Sequence, residues 1–218
     1  MFSFILNGQT NNDNWANLSR YAEANKQLKN SADTRVKVVF LGNSITEGWA
    51  NIHPDFFKSN GYVGRGISGQ TSPQFLSRFR NDVVELNPQA VVINGGINDI
   101  AENSGTYDPD FTFGNIKSMA EIAAANGIAV VLTSVLPAGN IPWRKNIKDV
   151  PSKILELNAK IKAYAQEKSF AYVDYYSSMV NEHKAMIAEY TGDGVHVTDL
   201  GYRLMENIVK QTLSKLNL

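Results

Sequence analysis

A serine and a histidine that lie far apart in the chain have local sequences suited to acyl transfer. Ser44 follows the apolar run 38–41 in a Gly-Asn-Ser turn, and His196 lies in a glycine-rich segment. Acyl transfer by a serine needs a hydroxyl, a base within reach, a group that orients the base, and donors for the developing oxyanion. The alternative for Ser44 is a capping role at the start of a helix.

The chain has three histidines, so the base can be chosen by elimination. His183 lies in the mixed polar and apolar stretch 179–190, which predicts an exposed helix. His53 follows the Gly-Asn-Ser turn closely and can line the entrance of a pocket. His196 has Asp193 three residues earlier, a spacing that lets a carboxylate accept from Nδ1–H and fix the tautomer. We therefore expect His196 to be the base and Asp193 its partner, the alternative being a simple Asp-Gly turn.

Donors for an oxyanion are expected from three loops. Gly69 offers a backbone N–H that no side chain shields, and Asn98 offers a side-chain amide at the end of a buried strand. The backbone N–H of Ser44, at the start of a helix, is the third donor. The alternatives are a helix-initiating turn for Gly69 and an Asx-turn or helix cap for Asn98.

Predicted strands alternate with predicted helices along the whole chain. The strands are expected at 35–41, 62–63, 90–93, 128–132 and 170–173, and the main helices at 15–29, 72–86, 110–126, 151–168 and 198–216. This alternation predicts an α/β fold with one parallel sheet and helices on both faces. Because crossovers are right-handed, the loops that carry Ser44, Gly69, Asn98 and Trp143 should lie at one edge of the sheet.

Length and composition limit the classes of protein to consider. The 218 residues suffice for one α/β domain, which we place at 31–218 after an N-terminal extension and outer helix at 1–30. The 21 basic and 21 acidic residues cancel without a basic stripe, so nucleic acid is not an expected partner. No apolar run approaches the roughly 20 residues that span a bilayer, so no integral membrane segment is expected. The absence of cysteine excludes disulfides, thiol nucleophiles and thiolate metal sites.

The first ten residues form a short apolar run followed by a polar stretch. This pattern is typical of the tail of an export signal whose beginning is missing, and on it we base the expectation of a periplasmic or secreted protein. The alternative is an ordinary terminus of a cytoplasmic protein.

Four short blocks of the chain, in this order, resemble the signature blocks of the SGNH hydrolases, also called GDSL esterases/lipases. The blocks are Gly42-Asn43-Ser44-Ile45-Thr46, Gly69-Gln70-Thr71, Gly95-Gly96-Ile97-Asn98-Asp99 and Asp193-Gly194-Val195-His196. The resemblance extends from about residue 36 to the last helix. It implies a flavodoxin-like three-layer α/β/α domain with a five-stranded parallel sheet, without cofactor or metal.

The same resemblance implies a role for each matched residue. Ser44 corresponds to the nucleophile, Gly69 and Asn98 to oxyanion donors, and His196 to the base with Asp193 as its partner. Asn43 replaces the aspartate that is usual in the first block, a change that removes one negative charge beside the serine.

The favoured function is a serine esterase that removes a small acyl group, most simply acetyl. The chain has no lid-like insertion or long apolar groove motif that would suit a bulky lipid. Trp143 and Arg144 can form an aromatic, polar rim suited to a carbohydrate ester, the alternative being loop packing. Two other functions stay open: a lysophospholipase or thioesterase of the same family, and a catalytically silent carbohydrate- or lipid-binding domain, which would require a broken triad. The sequence does not indicate an oligomeric state.

Overall fold

The computed structural model describes residues 14–31 and 36–218, and a sheet of five parallel strands lies at its centre. The strands are β1 (Val38–Gly42), β2 (Tyr62–Gly66), β3 (Ala90–Asn94), β4 (Ala129–Thr133) and β5 (Ala171–Val173), in the order β2-β1-β3-β4-β5. Every residue of β1 and β3 is buried, as their unbroken apolar runs predict. The predicted flavodoxin-like α/β fold with a five-stranded parallel sheet is confirmed.

Helices cover both faces of the sheet. They are α1 (Ala22–Asn30), α2 (Ser44–Ile52), α3 (Pro54–Asn60), α4 (Ser72–Asp82), α5 (Ile97–Ile100), α6 (Pro109–Ala125), α7 (Val150–Lys168), α8 (Tyr176–Met179) and α9 (Asp199–Ser214), with short 3₁₀ helices at Val84–Leu86 and Ala188–Tyr190. Helices α4, α6 and α7 pack side by side on one face, whereas α2, α3 and α9 cover the other. This distribution follows from right-handed crossovers around the strand order.

An aromatic cluster fixes α2 and α3 against the sheet. The ring of Phe40 in β1 lies 5.4 Å from that of Trp49 and 5.3 Å from that of Phe57, both edge to face. Helix α9 is tied to the same region, because Tyr202 Oη donates to the carbonyl of Ile45 at 2.9 Å. The helix that begins at Ser44 is therefore held from two sides.

Two predictions of secondary structure were wrong. The predicted helix 15–29 begins only at Ala22, because Asn17 has a left-handed φ of 50° that a helix cannot contain. The predicted exposed helix 179–190 is a turn in which Val180 bridges Met186 in antiparallel fashion, and it carries His183 at its exposed surface.

Some predictions concern residues outside the described ranges. The apolar and polar stretch 1–10 and the start of the first predicted strand at residue 35 are among them, and the proposed boundary at 30/31 adjoins 32–35. Within the described ranges, every helix is too short or too polar to traverse a lipid bilayer.

Candidate active site

Ser44 is the first residue of α2, and Asn43 is the residue that caps this helix. The Asn43 Oδ1 atom accepts from the backbone N–H of Ile45 at 3.0 Å, so the capping role considered for Ser44 belongs to its neighbour. An N–H in the first turn has no acceptor within the helix, so that of Ser44 can serve as a donor to a ligand. Asn43 Nδ2 is buried and has no hydrogen-bond partner among the described residues.

His196 and Asp193 form a hydrogen-bonded chain with Ser44. The Ser44 Oγ atom lies 3.0 Å from His196 Nε2, and His196 Nδ1 lies 2.6 Å from Asp193 Oδ2. Both distances are within the range of hydrogen bonds that transfer or orient a proton. The three residues predicted as nucleophile, base and orienting acid are thus brought together across 152 positions of the chain.

The loop before α9 sets the orientation of His196. Asp193 Oδ1 accepts from the backbone N–H groups of Val195 and His196 at 2.9 and 2.7 Å. Thr191 Oγ1 donates to the carbonyl of His196 at 2.7 Å, and Thr198 caps α9, its Oγ1 accepting from Gly201 N. His196 is therefore held at its ring nitrogen Nδ1, at its backbone N–H and at its carbonyl oxygen.

The electrostatics of this loop keep Asp193 ionised. Burial acts to raise the pKa of its carboxyl, but the hydrogen bonds from the His196 side chain and from the backbone N–H groups of His196 and Val195 outweigh it, and the net pKa is lowered. An ionised carboxylate favours a proton on Nδ1, which leaves Nε2 as an acceptor toward Ser44.

Gly69 lies in the loop after β2 with a φ of +77°, a conformation that favours glycine. The loop follows Gly66, the last residue of β2, where a Cβ would lie 2.1 Å from the backbone nitrogen of Glu47 in α2. This close approach brings the loop against the helix that begins at Ser44. Gly69 is exposed.

Asn98 is 2% exposed and lies in α5, directly after β3. Its Nδ2 donates to the main-chain carbonyl of Gln70 at 2.9 Å, which uses one of the two N–H groups of the amide. Its neighbour Asp99 accepts from the N–H and hydroxyl of Ser72 at 3.0 and 2.6 Å. Burial raises the pKa of Asp99 despite these bonds. The loops after β2 and β3 are thus joined at two points.

Trp143 lies beside the base. Its ring centroid is 5.7 Å from that of His196, and its Nε1 donates to Asn103 Oδ1 at 3.3 Å. Asn103 Nδ2 in turn donates to the carbonyl of Gly69 at 3.2 Å. Asn103 therefore joins the predicted rim to the predicted oxyanion loop, a role that no local sequence signal reveals. Arg144, the other predicted rim residue, is exposed.

His53 is not brought together with Ser44 and His196. It follows the last residue of α2, nine positions after Ser44, which corresponds to about 13 Å along a helix axis. Its Nδ1 lies 2.5 Å from Glu206 Oε1 and its Nε2 lies 2.8 Å from Asp199 Oδ1. Burial acts to lower the pKa of His53, but these two carboxylates outweigh it and the pKa is raised. Both ring nitrogens are thus engaged away from the serine.

Across residues 14–31 and 36–218, no three His, Asp or Glu side chains are grouped so that they could hold a metal ion.

Comparison with known proteins gives a family match. A sequence model of the GDSL-like lipase/acylhydrolase family matches residues 40–204. No curated protein matches the chain.

Solved structures give two close relatives. A GDSL-like lipase from Bacteroides thetaiotaomicron is 58% identical, with a TM-score of 0.89 over 92% of this chain and 98% of that one. A protein from Bacteroides fragilis assigned as an acylhydrolase is 59% identical, with a TM-score of 0.90 over 93% and 98% of the two chains. A more distant structure, an acetyl xylan esterase, is 22% identical with a TM-score of 0.66 over 81% and 98%, and it shares the fold.

Proposed function

The chain belongs to the GDSL-like lipase/acylhydrolase family, serine hydrolases that act on ester bonds, and from this premise we propose that it removes a small acyl group, most simply acetyl, through an acyl-enzyme. The observation that carries the proposal is the hydrogen-bonded chain from Ser44 Oγ through the His196 ring to Asp193, with distances of 3.0 and 2.6 Å. A catalytically silent binding domain would not need these three groups in line.

The proposed reaction begins with proton transfer from Ser44 to His196 Nε2 as Oγ attacks the acyl carbon. The imidazolium that forms is stabilised by the ionised Asp193, whose lowered pKa supports this role. His196 then gives the proton to the leaving alcohol as the bond between the acyl carbon and the alcohol oxygen breaks. A water molecule attacks the acyl-enzyme with His196 again as base, releasing the carboxylic acid and restoring the Ser44 hydroxyl.

Three hydrogen-bond donors are proposed to stabilise the negative charge that develops on the acyl oxygen. These are the backbone N–H groups of Ser44 and Gly69 and the side-chain amide of Asn98. Support comes from the position of Ser44 in the first turn of α2, where the helix dipole favours negative charge, and from the hydrogen bond that joins Asn98 to the loop of Gly69.

The alcohol part of the substrate is proposed to lie against Trp143. The base must reach the leaving oxygen to protonate it, so the alcohol part has to pass close to His196. Trp143 lies beside that ring and is 42% exposed, and Arg144 next to it is exposed as well. An aromatic face next to a cationic, hydrogen-bonding side chain suits a sugar ring, which offers apolar C–H faces and hydroxyl groups. We therefore propose an acetylated carbohydrate as the substrate.

The test compares acetic acid release from acetylated xylo-oligosaccharides and from ethyl acetate, with Ser44→Ala as the blank. A fluorophosphonate should label Ser44 and no other serine. Trp143→Ala should raise KM for the oligosaccharide at least several-fold and leave KM for ethyl acetate nearly unchanged. Labelling elsewhere, or full turnover by Ser44→Ala, would contradict the nucleophile. Equal effects of Trp143→Ala on both esters would contradict the carbohydrate assignment.

A further inference from the structure

Arg78, on the inner side of α4, has a side chain that is fully buried. A guanidinium in the interior needs a charge partner and hydrogen-bond acceptors, because the loss of hydration is costly. Asp82, one turn later, supplies the charge: its Oδ2 accepts from Nη1 at 2.9 Å. The ion pair neutralises the charge but uses only one of the three guanidinium nitrogens.

The other two nitrogens of Arg78 bind the two segments that lead to Ser44 and carry Gly69. Its Nη2 donates to the carbonyl of Gly42 at 3.0 Å, and its Nε donates to Gln70 Oε1 at 2.7 Å. Gly42 ends β1 two residues before Ser44, and Gln70 directly follows Gly69. Because a guanidinium is planar and rigid, these bonds fix the separation between the end of β1, which leads to Ser44, and the loop that carries Gly69.

Gln70 extends this arrangement to the third loop. It is 3% exposed, and its Nε2 donates to the carbonyl of Ala16 at 2.7 Å. Its own main-chain carbonyl accepts from Asn98 Nδ2 at 2.9 Å. Gln70 therefore contacts Arg78, the N-terminal segment and Asn98. A change in its position would shift Gly69, which precedes it, and Asn98.

We propose that Arg78 and Gln70 are positioning residues for the oxyanion hole: they hold Gly69 and Asn98 at the separation from Ser44 that the transition state requires. The inference rests on the proposed function. Any buried guanidinium needs acceptors, but the acceptors of Nη2 and Nε belong to the segments that lead to Ser44 and carry Gly69, and this placement is the observation that favours positioning. Misplacement of catalytic groups by about 1 Å can cost roughly 10²-fold in rate.

The first test is Gln70→Met, which preserves side-chain length and removes both polar ends. With 4-nitrophenyl acetate we expect kcat to fall about 10- to 100-fold and KM to change by less than about threefold, because the lost stabilisation arises only in the transition state. Asn158→Leu is the matched control. It removes a buried amide that binds backbone, with Asn158 Oδ1 accepting from Val135 N at 2.7 Å and Nδ2 donating to Val135 O at 3.0 Å, and Asn158 makes no hydrogen bond to Arg78 or to residues 67–71. It should keep kcat within about threefold.

The second test separates the two functions of the guanidinium. Arg78→Lys keeps the positive charge for Asp82, but a single ammonium cannot span the Gly42 carbonyl and the Gln70 side chain. Asp82→Asn removes the charge partner and keeps an acceptor for Nη1. We expect Arg78→Lys to lower kcat about 10- to 100-fold, whereas Asp82→Asn should lower Tm with kcat within about threefold.

The outcomes distinguish failure of the inference from failure of the proposed function. A loss of kcat that follows Tm in all four variants, or a rise in KM with kcat intact, overturns the inference. If turnover depends on Ser44 while Gln70→Met and Arg78→Lys keep kcat, the inference alone fails. If Ser44→Ala is fully active, the proposed function fails first. Should Arg78→Lys not fold, the comparison of Gln70→Met with Asn158→Leu decides.

Discussion

Asp193 holds His196 at two points: its Oδ2 lies 2.6 Å from the ring nitrogen Nδ1, and its Oδ1 accepts from the backbone N–H of the same residue at 2.7 Å. The carboxylate thus fixes the ring and the peptide that carries it. Because the two residues are only three positions apart, this geometry depends on one short loop, whereas the contact with Ser44 depends on the whole fold.

We predict that Asp193 and His196 act as a unit. His196→Ala should lower kcat/KM by roughly 10⁴- to 10⁶-fold, close to the effect of Ser44→Ala, and the loss in Asp193→Ala should be about two orders of magnitude smaller. In the double variant, adding Asp193→Ala to His196→Ala should cost almost nothing further. The measurement is the double-mutant cycle on kcat/KM. Losses that multiply fully would mean that the two residues work independently.

We predict that Asn98→Ala lowers kcat by about 10²- to 10³-fold with little change in KM, because the amide donor strengthens only as charge develops on the acyl oxygen. Asn158→Ala is the control, since Asn158 is also buried and also binds backbone, at Val135 N and O. The control should lose stability and keep kcat. A rise in KM for Asn98→Ala with kcat intact would place Asn98 in substrate binding.

We predict a preference for acetyl and butyryl esters over esters of eight or more carbons. The loops after β1, β2 and β3 consist of residue 43, residues 67–71 and residues 95–96 only, and the long loop 134–149 reaches the site through Trp143 beside His196, where the alcohol part is proposed to bind. A long acyl chain therefore gains little of the roughly 0.8 kcal/mol that each buried methylene provides. The measurement is kcat/KM across nitrophenyl esters from C2 to C12. A steady rise to C12 would favour the lysophospholipase or thioesterase alternative.

We predict that His53 makes folding stability depend on pH. Its pKa in the folded protein is raised above the ordinary 6.5 because Glu206 and Asp199 outweigh the effect of burial. The folded state therefore holds the proton more tightly, so this stabilisation is complete below the unfolded pKa and is lost as pH rises through the folded pKa.

The measurement is the free energy of unfolding in urea at several pH values from 5.5 to 9. His53→Gln should flatten the decline that begins near pH 6.5, whereas His183→Gln, at a side chain 81% exposed, should leave it unchanged. An identical slope in His53→Gln and the unmodified protein would contradict the assignment.

Two glycines provide a matched pair for the packing of α2 against β2. A Cβ at Gly66 would lie 2.1 Å from Glu47 N and 2.6 Å from Asn43 O, and backbone atoms cannot move aside as a rotamer can. Gly66→Ala should therefore lower the free energy of unfolding by about 3 kcal/mol. Gly114 lies inside α6, and apart from the neighbouring backbone of its own helix no atom lies within 4 Å of its Cβ position. Gly114→Ala should therefore raise the free energy of unfolding by roughly 0.5–1 kcal/mol. Calorimetry or urea unfolding measures both, and equal effects would contradict the packing argument.

Local patterns predicted the fold because the signals for its elements are local. Such signals are the apolar runs of β1 and β3, the left-handed Gly127 just after α6, and the Thr198 cap of α9. Each acts within a few residues, and together they determine the alternation of strands and helices. The stretch 179–190 has the same mixture of polar and apolar residues as a surface helix. A local turn distinguishes it: Asn181 Oδ1 accepts from the backbone N–H groups of His183 and Ala185, and Val180 pairs with Met186. The stretch contains no glycine or proline to mark this turn in the sequence.

The candidate site was predictable where its chemistry restricts the residue type. With three histidines in the chain, the base could be selected from its neighbours, and the four blocks placed the remaining groups. Asn103, Arg78 and the carboxylates around His53 were not predictable. Their roles depend on partners that the fold brings from 34 to 153 positions away, and asparagine, arginine or glutamate on a helix or loop carries no signal for such contacts.

The separation of 152 residues between Ser44 and His196 has a consequence for the folding of this chain. Contacts between distant residues carry a large loop-closure entropy and tend to form late. An intermediate with its sheet formed and α9 still undocked would have most of the native circular dichroism signal, yet the base would not lie beside the serine. The appearance of esterase activity during refolding should therefore report the docking of α9, through contacts such as Tyr202 Oη with Ile45 O, and not the formation of secondary structure.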